Sequence, residues 1–398
     1  MKKFIASSLI VLLVLMSLVG CGGKGGNETN VPEENGGQEA EKPSASGYEI
    51  ALITDKGNID DKSFNQGSWE GVVAFAEKEN ISHTYIKPEE VSDAGYLAAI
   101  DLAVTGGAKV VVTPGFLFEV PIYEAQSKYP DVKFILLDGA PHPADSFDPD
   151  IKENVASILY SDEQSGFLAG YAAVMDGMRN LGFMGGMPVP AVQAFGYGYL
   201  QGAEAAAEEL GLDDGAIKAI YHYTGDFEEN DTNKATAKTM YQEGTEVIFA
   251  CGGSAGKSVM SAASEAGAKV IGVDVDQRYD SETVITSATK GLAASVEAVL
   301  EAIYKTDSWD TYGGKTTYFS ADNDGVSLPT TVIGDESADA FDRFEEFTME
   351  KYEEVFAKLV DGSAKPIREI EIEDADGHAT ADELTSELGL KKVVVTTR

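Results

Sequence analysis

Several short apolar runs of this chain lead into acidic, amide, aromatic or glycine residues. Asp55, Phe64 and Asn65 follow the first run, and later runs are followed by Asp138, Phe195, Gly252, Gly253 and Asp274. Carboxylates accept charge-assisted hydrogen bonds from hydroxyl groups, and aromatic rings stack on planar groups. Glycine allows a ligand to approach the backbone closely. These residue types predict a binding site for a small ligand with hydroxyl groups and a flat face.

The apolar runs must be neighbouring strands if these residues are to meet. Runs such as 49–53 and 109–113 are short and apolar, and they alternate with longer amphipathic segments such as 65–79. This alternation is typical of parallel sheets with helices on both faces, whose ligands bind beyond the carboxyl ends of the strands. Because the pattern starts again after residue 160, we predict an α/β fold. It has two doubly wound parallel-sheet lobes with a ligand cleft between them.

The sequence sets approximate limits for the lobes. We assign residues 48–160 to an N-terminal lobe, completed by part of 287–330, and residues 161–286 to a C-terminal lobe. Helices are predicted over 195–210, from about Lys290 to Tyr304, and over 341–360. The region 331–398, with that last helix and an acidic tail, cannot be assigned to a lobe from sequence.

The first residues have the pattern of an export signal. Lys2 and Lys3 precede an apolar run over 4–19, and Cys21 follows small and apolar residues. This pattern predicts a signal peptide over 1–20, and Cys21 resembles the lipidated cysteine of bacterial lipoproteins. Residues 21–47 are rich in Gly, Asn and Glu, which predicts a flexible tether. We therefore expect a lipid-anchored protein on the extracytoplasmic face of the cell membrane.

Composition narrows the choice of partners. The chain has 67 acidic and 30 basic residues, a formal net charge of −37, which disfavours binding to nucleic acid. The same charge makes a multiply anionic ligand less favourable than a neutral one. The only cysteines are Cys21 and Cys251, so a lipidated Cys21 leaves no intrachain disulfide. The four histidines are scattered without ligand spacing, and we predict neither a metal site nor a cofactor.

Three segments of the sequence resemble one protein family. They are T-D-K-G-N-I-D-D-K-S-F-N-Q-G-S-W-E-G (54–71), D-E-Q-S-G-F-L-A-G-Y-A-A (162–173) and I-G-V-D-V-D-Q (271–277). They resemble motifs of the basic membrane proteins, which are substrate-binding lipoproteins of ABC transporters and include purine-nucleoside receptors. The resemblance implies the type I periplasmic-binding-protein fold.

The resemblance also implies a role for each candidate residue. Acidic Asp60 and Asp61 lie in the first motif, but we interpret them as loop-capping residues. The implied ligand contacts are stacking on a base by Phe64 and Phe195, hydrogen bonds to base edges by Asn65 and Asp138, ribose contacts by Asp55, Asp274 and Lys290, and close backbone approach at Gly252 and Gly253.

We therefore expect a monomeric, non-enzymatic solute-binding lipoprotein that delivers a nucleoside, with a purine as the expected base, to an ABC permease. One alternative is a binding protein or sensor for a sugar or another small polar ligand. A second is an exported nucleosidase-like hydrolase that uses the clustered carboxylates. A DNA-binding regulator on the same fold is disfavoured by the signal peptide and the acidic charge.

Overall fold

The structure is a computed structural model that describes residues 47–335 and 337–398. The predicted signal peptide, Cys21 and all of the predicted tether except Gly47 lie outside the described residues. Within the described ranges, no helix combines the length and apolar character needed to cross a membrane.

Thirteen strands and ten α-helices form the described part of the chain. The strands are β1 (Ile50–Ile53), β2 (His83–Ile86), β3 (Val110–Pro114), β4 (Lys133–Leu137), β5 (Val155–Tyr160), β6 (Asn180–Gly185), β7 (Ile217–Tyr223), β8 (Val247–Cys251), β9 (Lys269–Asp274), β10 (Val284–Lys290), β11 (Lys315–Phe319), β12 (Val326–Ser327) and β13 (Val393–Thr397). The helices are α1 (Phe64–Glu79), α2 (Asp93–Thr105), α3 (Glu119–Lys128), α4 (Asp162–Met175), α5 (Pro190–Glu209), α6 (Asp231–Gln242), α7 (Ala255–Ala266), α8 (Leu292–Tyr304), α9 (Met349–Val360) and α10 (Ala381–Glu387).

The strands form two sheets, each the centre of one lobe. Lobe 1 has the strand order β11-β5-β4-β3-β1-β2, and lobe 2 has the order β12-β10-β9-β8-β6-β7-β13. Every strand pair described is parallel except β10 with β12. The predicted α/β fold with two parallel-sheet lobes is confirmed. In each sheet the order reverses beside the first strand, β1 or β6, and ligands of open α/β sheets bind at such switch points.

The chain crosses between the lobes at three places, and hydrogen bonds join the crossing segments. It crosses after β5, after β10 and after β11. The backbone N–H of Ser161 donates to the Phe319 carbonyl at 2.8 Å, and that of Gly291 donates to the Gly325 carbonyl at 2.8 Å. These three joined segments form the hinge between the lobes.

Glycines explain the close packing of α4 against α5. A methyl group on Gly170 would lie 1.9 Å from the Tyr199 carbonyl oxygen, and one on Gly198 would lie 2.0 Å from the Glu163 carbonyl oxygen. Any larger residue would therefore force the two helices apart. Gly166 and Gly202 are in the same contact. The close approach fixes the first turn of α4, which follows the hinge directly.

Some predicted element limits were wrong. The helix predicted over 341–360 begins only at Met349, because Thr348 caps it by accepting a hydrogen bond from the Lys351 backbone N–H. The helix that contains Phe195 begins at Pro190, since proline is favoured in the first helical turn. Lys290, predicted to begin a helix, is the last residue of β10.

The C-terminal residues pack on lobe 2. Strand β13 pairs with β7 at the edge of the lobe 2 sheet. The Glu204 carboxylate on α5 accepts hydrogen bonds at 2.9 Å from the backbone N–H groups of Lys391, Lys392 and Val393. This single side chain therefore fixes the start of the last strand.

Candidate ligand-binding site

Lys290 is the centre of a charged cluster between the lobes. It ends β10, immediately before the chain crosses back to lobe 1, and its side chain is only 2% exposed. Its Nζ donates to Asp138 Oδ2 and lies 3.1 Å from Asp162 Oδ1 and 4.0 Å from Asp274 Oδ1. Asp138 follows β4 of lobe 1, whereas Asp162 and Asp274 belong to lobe 2. The ammonium group therefore joins carboxylates from both lobes.

Aromatic rings from both lobes border the same nitrogen. The ring centroids of Phe64, Phe195 and Tyr160 lie 5.0, 5.2 and 5.3 Å from Lys290 Nζ, distances at which a cation is attracted to a ring face. Phe64 begins α1 in lobe 1 and is half-buried. Phe195 lies on α5 in lobe 2, is 1% exposed and contacts Phe249 edge-on.

Burial dominates the electrostatics of the cluster. It raises the pKa of Asp274 to about 6, against the opposing effects of Lys290 and the hydrogen bond from Ser63. Burial likewise raises the pKa of Asp162, again opposed by Lys290. Burial would lower the pKa of Lys290, but Asp138, Asp162 and Asp274 together outweigh it and hold that pKa above its ordinary value. The ammonium group is therefore charged, and burial keeps the carboxyl pKa values of Asp162 and Asp274 above their ordinary values.

The loop after β1 is held by its own side chains. Asp61 accepts hydrogen bonds from the backbone N–H groups of Ser63, Asn65 and Gln66, which is the capping role expected of it. The Asn65 amide nitrogen donates to Asp55 and Asp61 at 2.8 Å, and its oxygen accepts from the Asp55 N–H. Asn65 can therefore offer a ligand only one remaining lone pair on its oxygen.

Backbone strain marks several of the predicted positions. Asp138 follows β4 and Asp274 is the last residue of β9. Their φ angles are 53° and 66°, a left-handed conformation uncommon for residues other than glycine. Gly253 has φ of 54°, and a methyl group on Gly252 would lie 3.1 Å from the Gly186 nitrogen. The turns after β6 and β8 therefore come into close contact, as glycine permits.

The structure adds residues to the cluster that were not predicted as site residues: Tyr160, Ser63, Asp162 and Arg368. Asp162 lies in the second family motif. It was not singled out because an acidic residue in the first turn of a helix is also explained by its interaction with the helix dipole. Ser63 donates to Asp274, and Arg368 contacts Asp162 from a distant part of the sequence. Within the described ranges, Asp138 Oδ1 and Asp162 Oδ1 are buried without a well-aligned hydrogen-bond donor. Such oxygens are suited to accept from a ligand.

The lobes also touch beside the cluster. Gln277 of lobe 2 donates to the Lys62 carbonyl of lobe 1 at 2.9 Å, and Lys56 pairs with Glu228 at 3.2 Å. The structure therefore has the cleft closed. Two cavities of about 360 and 510 Å³ lie elsewhere, one beside α5 and the other beside Trp309, and none of the predicted residues lines either.

Comparison with known proteins identifies the family. Residues 49–375 match the Bmp family, described as PnrA-like ABC transporter substrate-binding proteins. The chain belongs to this family. A relative from Lactococcus lactis subsp. cremoris, named ABC transporter nucleoside-binding protein BmpA, is 28% identical over 364 residues, covering 85% of this chain and 94% of the relative. The predicted resemblance is confirmed.

Solved structures confirm the fold. A solute-binding protein of an ABC transporter system from Aeropyrum pernix K1 matches with a TM-score of 0.70 and 24% identity, over 86% of this chain and 97% of that one. A transcriptional activator of the comK gene from Bacillus halodurans matches with a TM-score of 0.61 and 17% identity, over 80% and 100% of the two chains. Since proteins with different tasks share the fold, the fold alone does not define the function.

Family membership defines the function at a coarser level. The relatives are substrate-binding proteins of ABC transporters and not enzymes, and they act outside the cytoplasm. A small-molecule ligand and an ABC permease are the partners that this membership implies.

Proposed function

We propose that this Bmp-family protein captures a nucleoside, with a purine as the expected base, and delivers it to an ABC permease. The observation that carries the proposal is the pair of rings, Phe64 from lobe 1 and Phe195 from lobe 2, near the same Lys290 nitrogen. Aromatic rings contributed by both lobes suit a planar base, and the carboxylates beside them suit ribose hydroxyls. The name of the Lactococcus lactis relative supports the same class of ligand.

The two lobes divide the contacts with the proposed ligand. Stacking of a base on an aromatic ring contributes roughly 1–3 kcal/mol. Asp138 of lobe 1 has one oxygen without a donor among the described residues. This oxygen and the remaining acceptor of Asn65 would accept hydrogen bonds from N–H groups at the base edge. Asp274 and Lys290 of lobe 2 would hold the ribose. Contacts from both lobes favour the closed form.

The loops at the switch points complete the proposed site. Asp55 would contact the ribose, and burial raises the pKa of its carboxyl group, against the opposing hydrogen bond from Asn65. Gly252 and Gly253 would allow the turn after β8 to approach the ligand, because neither carries a side chain that would occupy the space.

The cluster charge favours a nucleoside over a nucleotide. Asp138, Asp162 and Asp274 lie around Lys290, and Arg368 is a second cation at Asp162, so three carboxylates face two cations. A phosphate placed there would be repelled at close range. We therefore expect a nucleoside monophosphate to bind much more weakly than the corresponding nucleoside.

The test is isothermal titration of a soluble form that starts at Gly47, after unfolding and refolding to remove any bound ligand. Guanosine, inosine, adenosine, uridine and ribose form the panel, with guanosine monophosphate as the charged control. Binding of a nucleoside without a response to ribose or to the monophosphate would support the proposal. No binding signal with any nucleoside would refute the proposal, and sugars and other small polar ligands would then be tested.

We also propose that the protein is a monomer held to the membrane by lipid on Cys21. The lysines, apolar run and cysteine at the start of the chain support this anchoring. A Cys21→Ala variant should lose incorporation of labelled palmitate, and an unchanged label would contradict the anchor. Light scattering of the soluble form should give a mass of one chain.

A further inference from the structure

Arg368 reaches the hinge from the C-terminal segment. Its Nη1 donates to the Tyr160 carbonyl at 2.6 Å and to Glu163 Oε2 at 2.9 Å, and its Nη2 lies 3.5 Å from Asp162 Oδ2. These contacts lie where β5 ends, at the first lobe crossing. The side chain is 20% exposed, so the guanidinium group is largely removed from water.

Asp162 lies between two cations. Its Oδ2 is near Arg368, its Oδ1 is 3.1 Å from Lys290 Nζ, and its side chain is fully buried. A buried carboxylate is costly unless cations or hydrogen bonds compensate it. Arg368 and Lys290 are thus linked through a single carboxylate.

The location of Asp162 indicates what the Arg368–Asp162–Lys290 contact does. Asp162 and Lys290 both lie on the lobe 2 side of the hinge, whereas Asp138 comes from lobe 1. The contact of Lys290 with Asp162 therefore does not depend on cleft closure, but its contact with Asp138 does. Asp162 is placed to hold the ammonium group in position before lobe 1 arrives.

We infer that Arg368 is a positioning residue for ligand binding, which acts through Asp162 to keep the Lys290 ammonium group aimed into the cleft. The inference rests on the proposed ligand contact of Lys290. Without Arg368, Asp162 retains one cation instead of two and takes up a proton more readily. A neutral Asp162 holds Lys290 less firmly, and the ammonium group turns toward Asp138 and Asp274, the groups that the ligand must engage.

The chain offers a matched control for the removal of Arg368. The Gln201 side chain donates to the Ile367 carbonyl at 2.9 Å and accepts from the Ile367 N–H at 2.7 Å. Gln201→Met therefore loosens the same C-terminal segment one residue away without removing charge near Asp162. Arg368→Met removes the charge, and Arg368→Lys retains it with a different geometry.

The first measurement needs no ligand. The ammonium Hζ–Nζ NMR signal of Lys290, assigned by its loss in Lys290→Gln, is recorded in the refolded protein. Arg368→Met should shift or broaden this signal, Arg368→Lys should partly restore it, and Gln201→Met should leave it unchanged. An unchanged signal in Arg368→Met would overturn the inference, whether or not any nucleoside binds. If no nucleoside binds wild type but the signal responds, the positioning role stands and the proposed function fails.

The second measurement is the affinity for the tightest nucleoside of the panel. Arg368→Met should weaken binding about tenfold. This is the lower end of the loss found in metalloproteins when a residue that orients a metal-binding side chain is mutated. If Arg368 acts through Asp162, then Asp162→Asn should weaken binding similarly and the double variant should be no weaker than either single variant. Additive losses, or an equal loss in Gln201→Met, would contradict the inference.

Discussion

Replacing Phe64 by alanine should remove one face of the proposed base-binding clamp. Phe64 is half-buried at the start of α1, and its ring centroid lies 5.0 Å from Lys290 Nζ. Removal of the ring therefore changes the cleft and not the centre of lobe 1. Loss of one stacking contact costs roughly 1–3 kcal/mol. Since 1.4 kcal/mol corresponds to a factor of ten, nucleoside affinity should fall roughly 5- to 150-fold. Ribose, which has no base, should give no binding signal with either protein.

A second phenylalanine on the same helix provides the control. Phe75 is 3% exposed and packs near the Tyr304 ring, with 5.8 Å between the centroids. Phe75→Leu should lower the melting temperature because it removes core volume, but it should leave nucleoside affinity nearly unchanged. Isothermal titration and thermal unfolding of both variants separate the two effects. Wild-type affinity in Phe64→Ala, or an equal affinity loss in Phe75→Leu, would refute the stacking argument.

Other predictions concern charge and packing. Because burial raises the pKa of Asp274 to about 6, nucleoside affinity measured by titration should fall as the pH drops through 6. A constant affinity from about pH 7 to 5 would contradict the proposed contact of Asp274 with the ribose. The folded state also binds more protons at Asp274 than the unfolded chain does between about pH 4 and 6, so this group should lower the free energy of unfolding as pH rises through that window. Gly198→Ala should lower the free energy of unfolding in urea by about 1–3 kcal/mol or more, because the methyl group meets the Glu163 carbonyl. Gly256→Ala is the control and should have little effect, since the nearest atom to its methyl group is 3.8 Å away. Equal effects of the two variants would contradict the packing argument. Glu204→Ala should increase amide hydrogen exchange in β13. Unchanged protection there would show that its hydrogen bonds with three backbone N–H groups do not fix the strand.

The buried strands β1, β3 and β4 were predictable, whereas the edge strands β11 and β13 were not. β1, β3 and β4 lie inside a sheet with both faces covered, so they are nearly continuous apolar runs that differ clearly from the helices around them. β11 has the sequence K-T-T-Y-F and is largely solvent-accessible at the sheet edge, so its sequence carries little periodic signal. β13 is rich in valine, but its pairing with β7 depends on contacts with a distant helix residue, Glu204. Short-range patterns do not contain such contacts.

The same distinction applies to the site. Asp138 and Asp274 could be singled out because the ends of parallel strands must meet at one edge of a sheet. The role of Asn65 was harder to predict, because its amide nitrogen donates to Asp55 and Asp61 within its own loop instead of pointing to a ligand. Arg368 carries no local signal at all, because only the path of the C-terminal segment over lobe 2 brings it to the hinge.

The position of Lys290 explains how one side chain can couple ligand capture to closure. It ends the strand that leads back into lobe 1, so its ammonium group lies where the two lobes meet. With the cleft closed it donates to Asp138 of the opposite lobe, and the second Asp138 oxygen has no donor among the described residues. A ligand hydroxyl or N–H group that supplies this donor would satisfy a buried acceptor only in the closed form. Its binding energy would therefore favour closure by the amount that the unsatisfied oxygen costs, about 1–3 kcal/mol.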